Sequence, residues 1–303
     1  TRQRRQTYVH VFFSLLCTQR SAPRTATRES WYQALDGLGR YNGAHETIKL
    51  CHASTRNSLS LEMMKIIMWN LTRDQDNESL RSIVIAAEPG KVFSAGHNLK
   101  ELTSEQGGIY HREVFGVASE LMRAIAESPV PVIAAVDGLA AAAGCQLVCA
   151  CDIAVCTERS TFSTPGANFG IFCSTPGIPL ARNVPRKVAS RMLFTGLPIT
   201  ATEAHAAGLV SKVTANDKLE VKTITDAIST KSRSIVRLGK SFLYEQIDLD
   251  TSLAYELGAE IMVKNLELRD AQEGIRGFVE KRKPVWSHTF KKDNWQTIKF
   301  HSN

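Results

Sequence analysis

The sequence predicts an α/β fold, with helices crossing over a sheet, that gives way to a helical second module. Three observations carry this reading. Apolar runs of strand length alternate with segments of helical spacing in the first half of the chain. Two glycine-containing turns each follow such a run and lead into a helix. Beyond Phe162 the chain turns Gly/Pro-rich, and from Lys187 to about residue 283 it reads as mostly helical. With 303 residues and 43 % hydrophobic content, there is enough apolar material for a sizeable core.

Taken in order, Glu46 to Cys51 reads as the first strand. Asn57 and Ser58 stop it, and Ser58-Leu-Ser-Leu-Glu62 opens a helix, because a serine hydroxyl can accept an unpaired N–H of the first turn. Ile83 to Ala87 is a short buried strand and Val130 to Val136 is another. Between them Val114, Val117, Leu121, Met122 and Ile125 recur at helical spacing. Leu209 to Val213 is strand-like within the helical half, and the tail from His288 to Asn303 has no clear apolar face. The expected division is a leader (1–40), a core domain (41–228), a helical module (229–288) and a tail (289–303).

The net charge of +7 suggests nucleic acid until it is located. Residues 1–28 hold six arginines and no Asp or Glu, which leaves about +1 for everything else. A nucleic-acid face would spread its charge over folded surface. Here it sits in a Ser/Thr-containing terminus with Val9, Val11, Phe12, Leu15 and Leu16 among the arginines, the composition of a mitochondrial transit peptide, so the mitochondrial matrix is the expected location. No stretch approaches the roughly 18 apolar residues of a membrane span. Of seven cysteines, Cys145, Cys149, Cys151 and Cys156 share one apolar run. They lack the paired spacing or neighbouring histidines of a metal site, so they read as buried, reduced thiols and no metal is expected.

The two turns, Val92-Phe-Ser-Ala-Gly-His-Asn-Leu-Lys-Glu101 and Gly138-Leu-Ala-Ala-Ala-Ala-Gly-Cys-Gln146, are where chemistry is expected. Small residues let a ligand approach the backbone, and free N–H groups at a helix start attract developing negative charge. Two such turns can form an oxyanion hole. Gly37-Leu-Gly39-Arg-Tyr-Asn-Gly43 misses the dinucleotide fingerprint by one residue and follows no strand. The motifs of serine hydrolases, nucleotide hydrolases and zinc proteases are missing.

Phe93-Ser-Ala-Gly-His-Asn-Leu-Lys-Glu101 resembles the first oxyanion loop of the crotonases, the enoyl-CoA hydratase/isomerase superfamily. Four further segments agree in order and spacing. They are Pro129-Val-Pro-Val-Ile-Ala-Ala-Val-Asp-Gly138 with its Ala/Gly turn, Cys151-Asp-Ile-Ala154, Phe194-Thr-Gly-Leu-Pro-Ile-Thr-Ala-Thr-Glu-Ala204 with Gly208-Leu-Val210, and Glu273-Gly-Ile-Arg-Gly-Phe-Val-Glu-Lys-Arg-Lys-Pro284. The resemblance covers about residues 46–286. It implies a crotonase-type spiral of ββα units with a C-terminal helical trimerisation module, and hence a homo-oligomer, trimer or hexamer. It also implies an acyl-CoA thioester as ligand, its carbonyl held by the backbone N–H groups of His97 and Ala143. Coenzyme A enters as part of the substrate, so no separate cofactor is expected. Ala95 belongs to the implied CoA-binding loop, and Arg56, Lys100 and Lys283 are candidates for the nucleotide end, whose phosphates call for cations. The implied setting is mitochondrial fatty-acid and acyl-CoA metabolism.

The chain departs from the family's hydratases at the two positions where they carry glutamates, which here are Gln146 and Gly166. An amide can orient water but cannot exchange a proton near neutral pH, and glycine offers no side chain. Each lost acid–base group removes roughly 10²- to 10⁴-fold of rate, so hydration should be very slow, and restoring glutamate at both positions should raise it modestly. The stretch Gly39 to Glu46 resembles an insertion before the first strand. A histidine at the position of His97 also occurs in the superfamily's methylmalonyl-CoA decarboxylases, but the tyrosine that accompanies it there aligns with Cys173. His97 therefore reads either as a catalytic side chain of a decarboxylase or isomerase, or as a loop residue of which only the N–H is used. The protein as a whole reads as an enolate-type enzyme or as a non-catalytic acyl-CoA binding protein. Glu101, His111 and Glu113 lie downstream and are candidates to reach the acyl cavity, but solvated helix faces are the stronger expectation for them, and Asp137 and Asp152 are expected to fix turns.

Overall fold

The structure, a computed structural model, describes residues 44–289. The expected leader, the Gly37 to Gly43 turn, residues 39–43 of the stretch taken for an insertion and most of the tail lie outside these residues. Nine strands form two sheets among them. The larger is parallel throughout, in the order β1 (His45–Leu50), β2 (Ser82–Ala87), β4 (Val132–Val136), β6 (Ile153–Thr157), β9 (Lys212–Thr214). The smaller holds β3 (Val92–Ser94), β5 (Leu139–Ala141), β7 (Thr161–Ser163) and β8 (Ile199–Thr200), and only its β7/β8 pair is antiparallel. After β1, successive turns of chain thus contribute one strand to each sheet. Helix α1 (Leu61–Arg73) returns the chain to β2, α2 (Gly107–Glu127) follows β2/β3, and α3 (Ala143–Ala150) follows β4/β5. This is the ββα repeat the resemblance implied.

The unbroken apolar runs of β2 and β4 follow from burial on both faces. On one face Val84, Ile133 and Ala135 pack under Val221, Ile224 and Ile228 of α7 (Asp217–Ser229). The alternate side chains Ile83, Ile85, Val132, Ala134 and Val136 are fully buried on the other. Phe93 and Phe162 do the same for the small sheet. Each such Val, Ile or Phe contributes about 1.5–3 kcal/mol by leaving water. Helix α1 is capped by Ser60, whose hydroxyl accepts the Met63 N–H at 3.1 Å.

Two expectations need correction. Leu209 and Val210 are buried, but as a loop folded back on the Ala204 carbonyl, and only Lys212–Thr214 pairs as strand. Helices begin before Lys187, at α4 (Ser174–Asn183) and α5 (Arg186–Thr195). Their Gly/Pro content disguised the first, yet Pro176 sits in its opening turn, where no intrahelical donor is lost. A short α6 (Ala201–Ala206) carries a capping box between Thr200 and Glu203.

The C-terminal helices are α8 (Arg233–Gln246), α9 (Thr251–Glu267) and α10 (Arg269–Val279). The buried Lys240 ammonium fixes α8 to the core, donating to Asp152 at 2.7 Å and to the Ile125 and Val130 carbonyls at 2.8 and 3.1 Å. Asp152 also accepts the Val132 N–H at 2.6 Å and the Tyr244 hydroxyl at 2.8 Å. At the other end of α8, buried Asp270 accepts the Ser232 hydroxyl at 2.6 Å, the Ser287 N–H at 2.7 Å and the His288 N–H at 3.0 Å. By contrast α9 buries no residue of its own. Among the described residues no helix is long and apolar enough to cross a membrane, six cysteines are free, and no cluster of His, Cys, Asp or Glu is placed to hold a metal.

Candidate functional site

The ends of β3, β5 and β7 lie side by side, with Ser94 opposite Ala140 and Ala141 opposite Ser163. The chain leaves each strand by a tight turn. Gly96 has φ +88°, and a Cβ there would stand 2.8 Å from the Ala141 carbonyl oxygen and 3.0 Å from the Ala143 nitrogen. Only glycine fits, and the first turn therefore presses directly on the start of α3. Gly144 is equally confined, its absent Cβ falling 2.6 Å from the Ser94 carbonyl. Ala142, at φ +49° and ψ −119°, adopts a conformation costly for any residue with a side chain, and its N–H donates to the Ser163 carbonyl at 2.9 Å.

This packing leaves two donors unspent. The Ala95 N–H goes to the Arg56 carbonyl at 3.0 Å and the Gly96 N–H to the Ser94 hydroxyl at 3.3 Å. Among the described residues neither the His97 N–H nor the Ala143 N–H, the first of α3, donates to anything. Two such amides converging from adjacent turns can polarise a carbonyl.

The His97 ring is held on one edge by its Nδ1, 3.3 Å from the Leu59 carbonyl, and it makes a T-shaped contact with Phe115, with centroids 5.4 Å apart. Because a carbonyl can only accept, Nδ1 carries the proton. Burial pushes the imidazole pKa below its ordinary value, outweighing that bond, so the ring is neutral and Nε2 keeps its lone pair. Nε2 is itself buried without a partner, as is Gln146 Oε1 on the first turn of α3. Sequence reasoning missed a third such group, the fully buried Thr164 hydroxyl just past β7. Nothing in the local pattern marks it.

Other candidates fall elsewhere. Lys100 and Arg56 are exposed near the first turn, while Lys283 is exposed beyond α10 and no described contact joins it to the turns. Glu101 is not on a solvated helix face. It is half-buried in a 3-10 turn and accepts the Leu61 N–H at 2.9 Å, so it caps α1, and burial raises its carboxyl pKa against that bond. Glu113 is exposed and pairs with Lys65 at 2.6 Å, and His111 bonds the Thr103 carbonyl. Asp137 grips Arg159 and the Thr157 hydroxyl, while Asp152 joins the core to α8.

The family model for enoyl-CoA hydratase/isomerase matches residues 41–289. The chain belongs to that family. Human enoyl-CoA hydratase domain-containing protein 3, mitochondrial, is 54 % identical over 256 residues, 84 % of this chain and 82 % of that protein. Its crystal structure superimposes with a TM-score of 0.80 at 53 % identity, over 82 % of this chain and 98 % of the other. An enoyl-CoA hydratase from Mycobacterium smegmatis gives a TM-score of 0.79 at 40 % identity, over 83 % and 98 % of the two chains. A crotonyl-CoA hydratase of Syntrophomonas wolfei is 31 % identical over 75 % of this chain and 88 % of its own.

Within this crotonase frame Gly166 needs correction. A Cβ there would fall on the Ile171 carbonyl oxygen and 2.7 Å from Cys173 Sγ, and the Gly166 N–H already donates to that sulfur at 3.3 Å. The space a second carboxylate would need is filled by the chain's own loop, so glutamate cannot simply be restored. The Cys173 thiol is buried, which raises its pKa.

Proposed function

We propose that this crotonase-family chain binds an acyl-CoA thioester with its carbonyl between the His97 and Ala143 N–H groups, and that it is not a conventional hydratase. The observation carrying this reading is the pair of unspent amides brought together by the close approach of Gly96 to Ala143. One oxyanion donor is typically worth about 2.7–4 kcal/mol of barrier. With Gln146 and Gly166 at the hydratase acid positions, proton transfer to and from water lacks both its groups. The thioester would enter along the first turn past Ala95, with Arg56 and Lys100 toward its nucleotide end, and Lys283 in reach only from a neighbouring copy.

The exposed Tyr255, Met262, Phe278 and Val279 of α9 and α10 support assembly of the helical module into a homotrimer or hexamer, with residues 41–228 as the binding core. The acid-free basic stretch 1–28 and the mitochondrial relatives support import of this protein to the matrix for acyl-CoA metabolism. A second reading, an isomerase or decarboxylase, is favoured by the bare Nε2 of His97.

Calorimetry with a panel of acyl-CoA thioesters, followed by mass analysis of products, tests the proposal. Micromolar binding with slow hydration of crotonyl-CoA is expected. Absence of heat with every thioester would refute the binding site, and hydration at about 1–10³ s⁻¹, the usual enzyme range, would refute the claim that its proton-transfer groups are lost.

A further inference from the structure

Arg81, Lys231 and Arg233 line one cleft, walled by Val130, Ile228 and Val236. It lies where the chain enters β2 and β4 and where α7 passes to α8, and it shares no residue with the turns after β3, β5 and β7. Arg233, the first residue of α8, is only 5 % exposed. Its guanidinium donates to the Leu80 carbonyl at 3.0 Å and to the Gln75 carbonyl at 2.6 Å, and Arg81 donates to the Glu78 and Leu80 carbonyls. Carbonyl oxygens satisfy N–H groups but carry no net charge.

Among the described residues no carboxylate pairs with Arg81, Lys231 or Arg233. Of the acids that act on the two arginines, Asp270 is already bonded to Ser232, Ser287 and His288, and Asp76 and Glu78 are exposed and make no ion pair. Burial lowers the Arg233 pKa, and the charges of Arg237 and Arg81 lower it further. Burial and then Arg81 likewise lower that of His288, whose Nδ1 accepts the Arg233 N–H at 3.3 Å. Like charges gathered in a buried cleft cost free energy unless an anion answers them. Elsewhere one does, since Lys240 has Asp152, and Arg73 has Glu46 and Asp74. No described residue plays that part for Arg233.

We propose that Arg81, Lys231 and Arg233 form a binding site for a phosphate-bearing anion, separate from the thioester site. Charge favours phosphate over carboxylate, because a phosphate monoester carries about −1.5 to −2 at neutral pH and balances more than one cation. Geometry favours it too. Its three free oxygens can meet donors arriving from different elements, and these side chains come from the entry to β2, the α7–α8 connection and the first turn of α8. The apolar wall of Val130, Ile228 and Val236 strengthens each contact by lowering the local dielectric. Bound there, the anion ties α8 to the chain before β2 and stabilises the fold.

Calorimetry of the full chain with inorganic pyrophosphate tests the site. Wild type should bind it, and Arg81→Ala and Lys231→Ala should each weaken binding roughly fivefold or more, as loss of a charge-assisted contact does. Pyrophosphate should also raise the denaturation midpoint of the wild type, whereas sodium chloride at equal ionic strength should not. Lys231 is exposed, so its variant keeps the test available if Arg81→Ala weakens the fold. Co-sedimentation with phosphatidylcholine vesicles containing phosphatidic acid separates two sources of the phosphate. Pelleting of wild type but not of Lys231→Ala assigns a lipid headgroup, and calorimetric binding without pelleting assigns a soluble phosphate. Absence of binding to both probes would overturn the inference. So would binding that survives both substitutions undiminished.

Discussion

Two buried polar regions of this molecule stand in contrast. At the junction of core and helical module, Lys240, Asp152 and Tyr244 bring an ammonium, a carboxylate and a phenol together, and every one of them is hydrogen-bonded. At the ends of β3, β5 and β7, backbone is forced through a positive φ at Ala142, two amides are unspent and three side chains lack partners. The first region is self-sufficient. The second keeps donors and acceptors that no described residue answers, as the proposed thioester site requires. Satisfaction of hydrogen bonds thus distinguishes the joint from the strand ends, although both are buried and polar.

The contrast is broken most directly at the joint. Lys240→Ala leaves the Asp152 carboxylate and two carbonyls without their cation, and loss of one partner of a buried pair costs about 3–5 kcal/mol. Chemical denaturation should show that loss, whereas a change under about 1 kcal/mol would mean solvent reaches the pair. Next in size is Gly144→Ala, whose new methyl meets the Ser94 carbonyl. Overpacking of this kind costs about 1–3 kcal/mol. Because it displaces the start of α3, thioester affinity should fall at least tenfold in calorimetry.

Gln146→Met should have the opposite sign on stability. Removing an unpaired buried acceptor relieves about 1 kcal/mol or more, so its denaturation midpoint should rise. A fall would mean that Gln146 is already satisfied. The smallest effect is that of pH on His97. Its folded pKa lies below the ordinary value near about 6.5, so the unfolded state binds protons first. The stability from this group is full above the unfolded value and is lost as pH falls through the folded one. The difference in stability between wild type and His97→Phe should be constant from neutral pH down to about 6.5 and shrink only in more acid solution.

Much of this was legible in the sequence where the determinants are local. The β2 and β4 runs, the Ser60 cap and the two turns each depend on residues a few positions apart, and the ββα repeat was implied by the resemblance to the crotonases. What escaped depends on partners far along the chain. Glu101 caps a helix that starts at Leu61, Lys240 meets Asp152, and the loop carrying Ile171 and Cys173 fills the space beside Gly166. No periodicity encodes these meetings. Helix α4 was hidden for a different reason, since its Gly/Pro composition argues against helix: Pro176 falls in the opening turn, where its missing N–H is harmless, but Pro179 lies inside the helix.

The Asp270 latch has a consequence for the order in which the molecule comes apart. One carboxylate holds the cap of α8, the start of α10 and the strap at Ser287 and His288. Burial alone would raise its pKa, but these bonds together hold it below the usual carboxylate range. The strap and the first turn of α8 therefore share one opening event, a cooperative unit in hydrogen exchange. In acid that unit is released when Asp270 protonates, and the amides of Ser287, His288 and the first turn of α8 lose protection together.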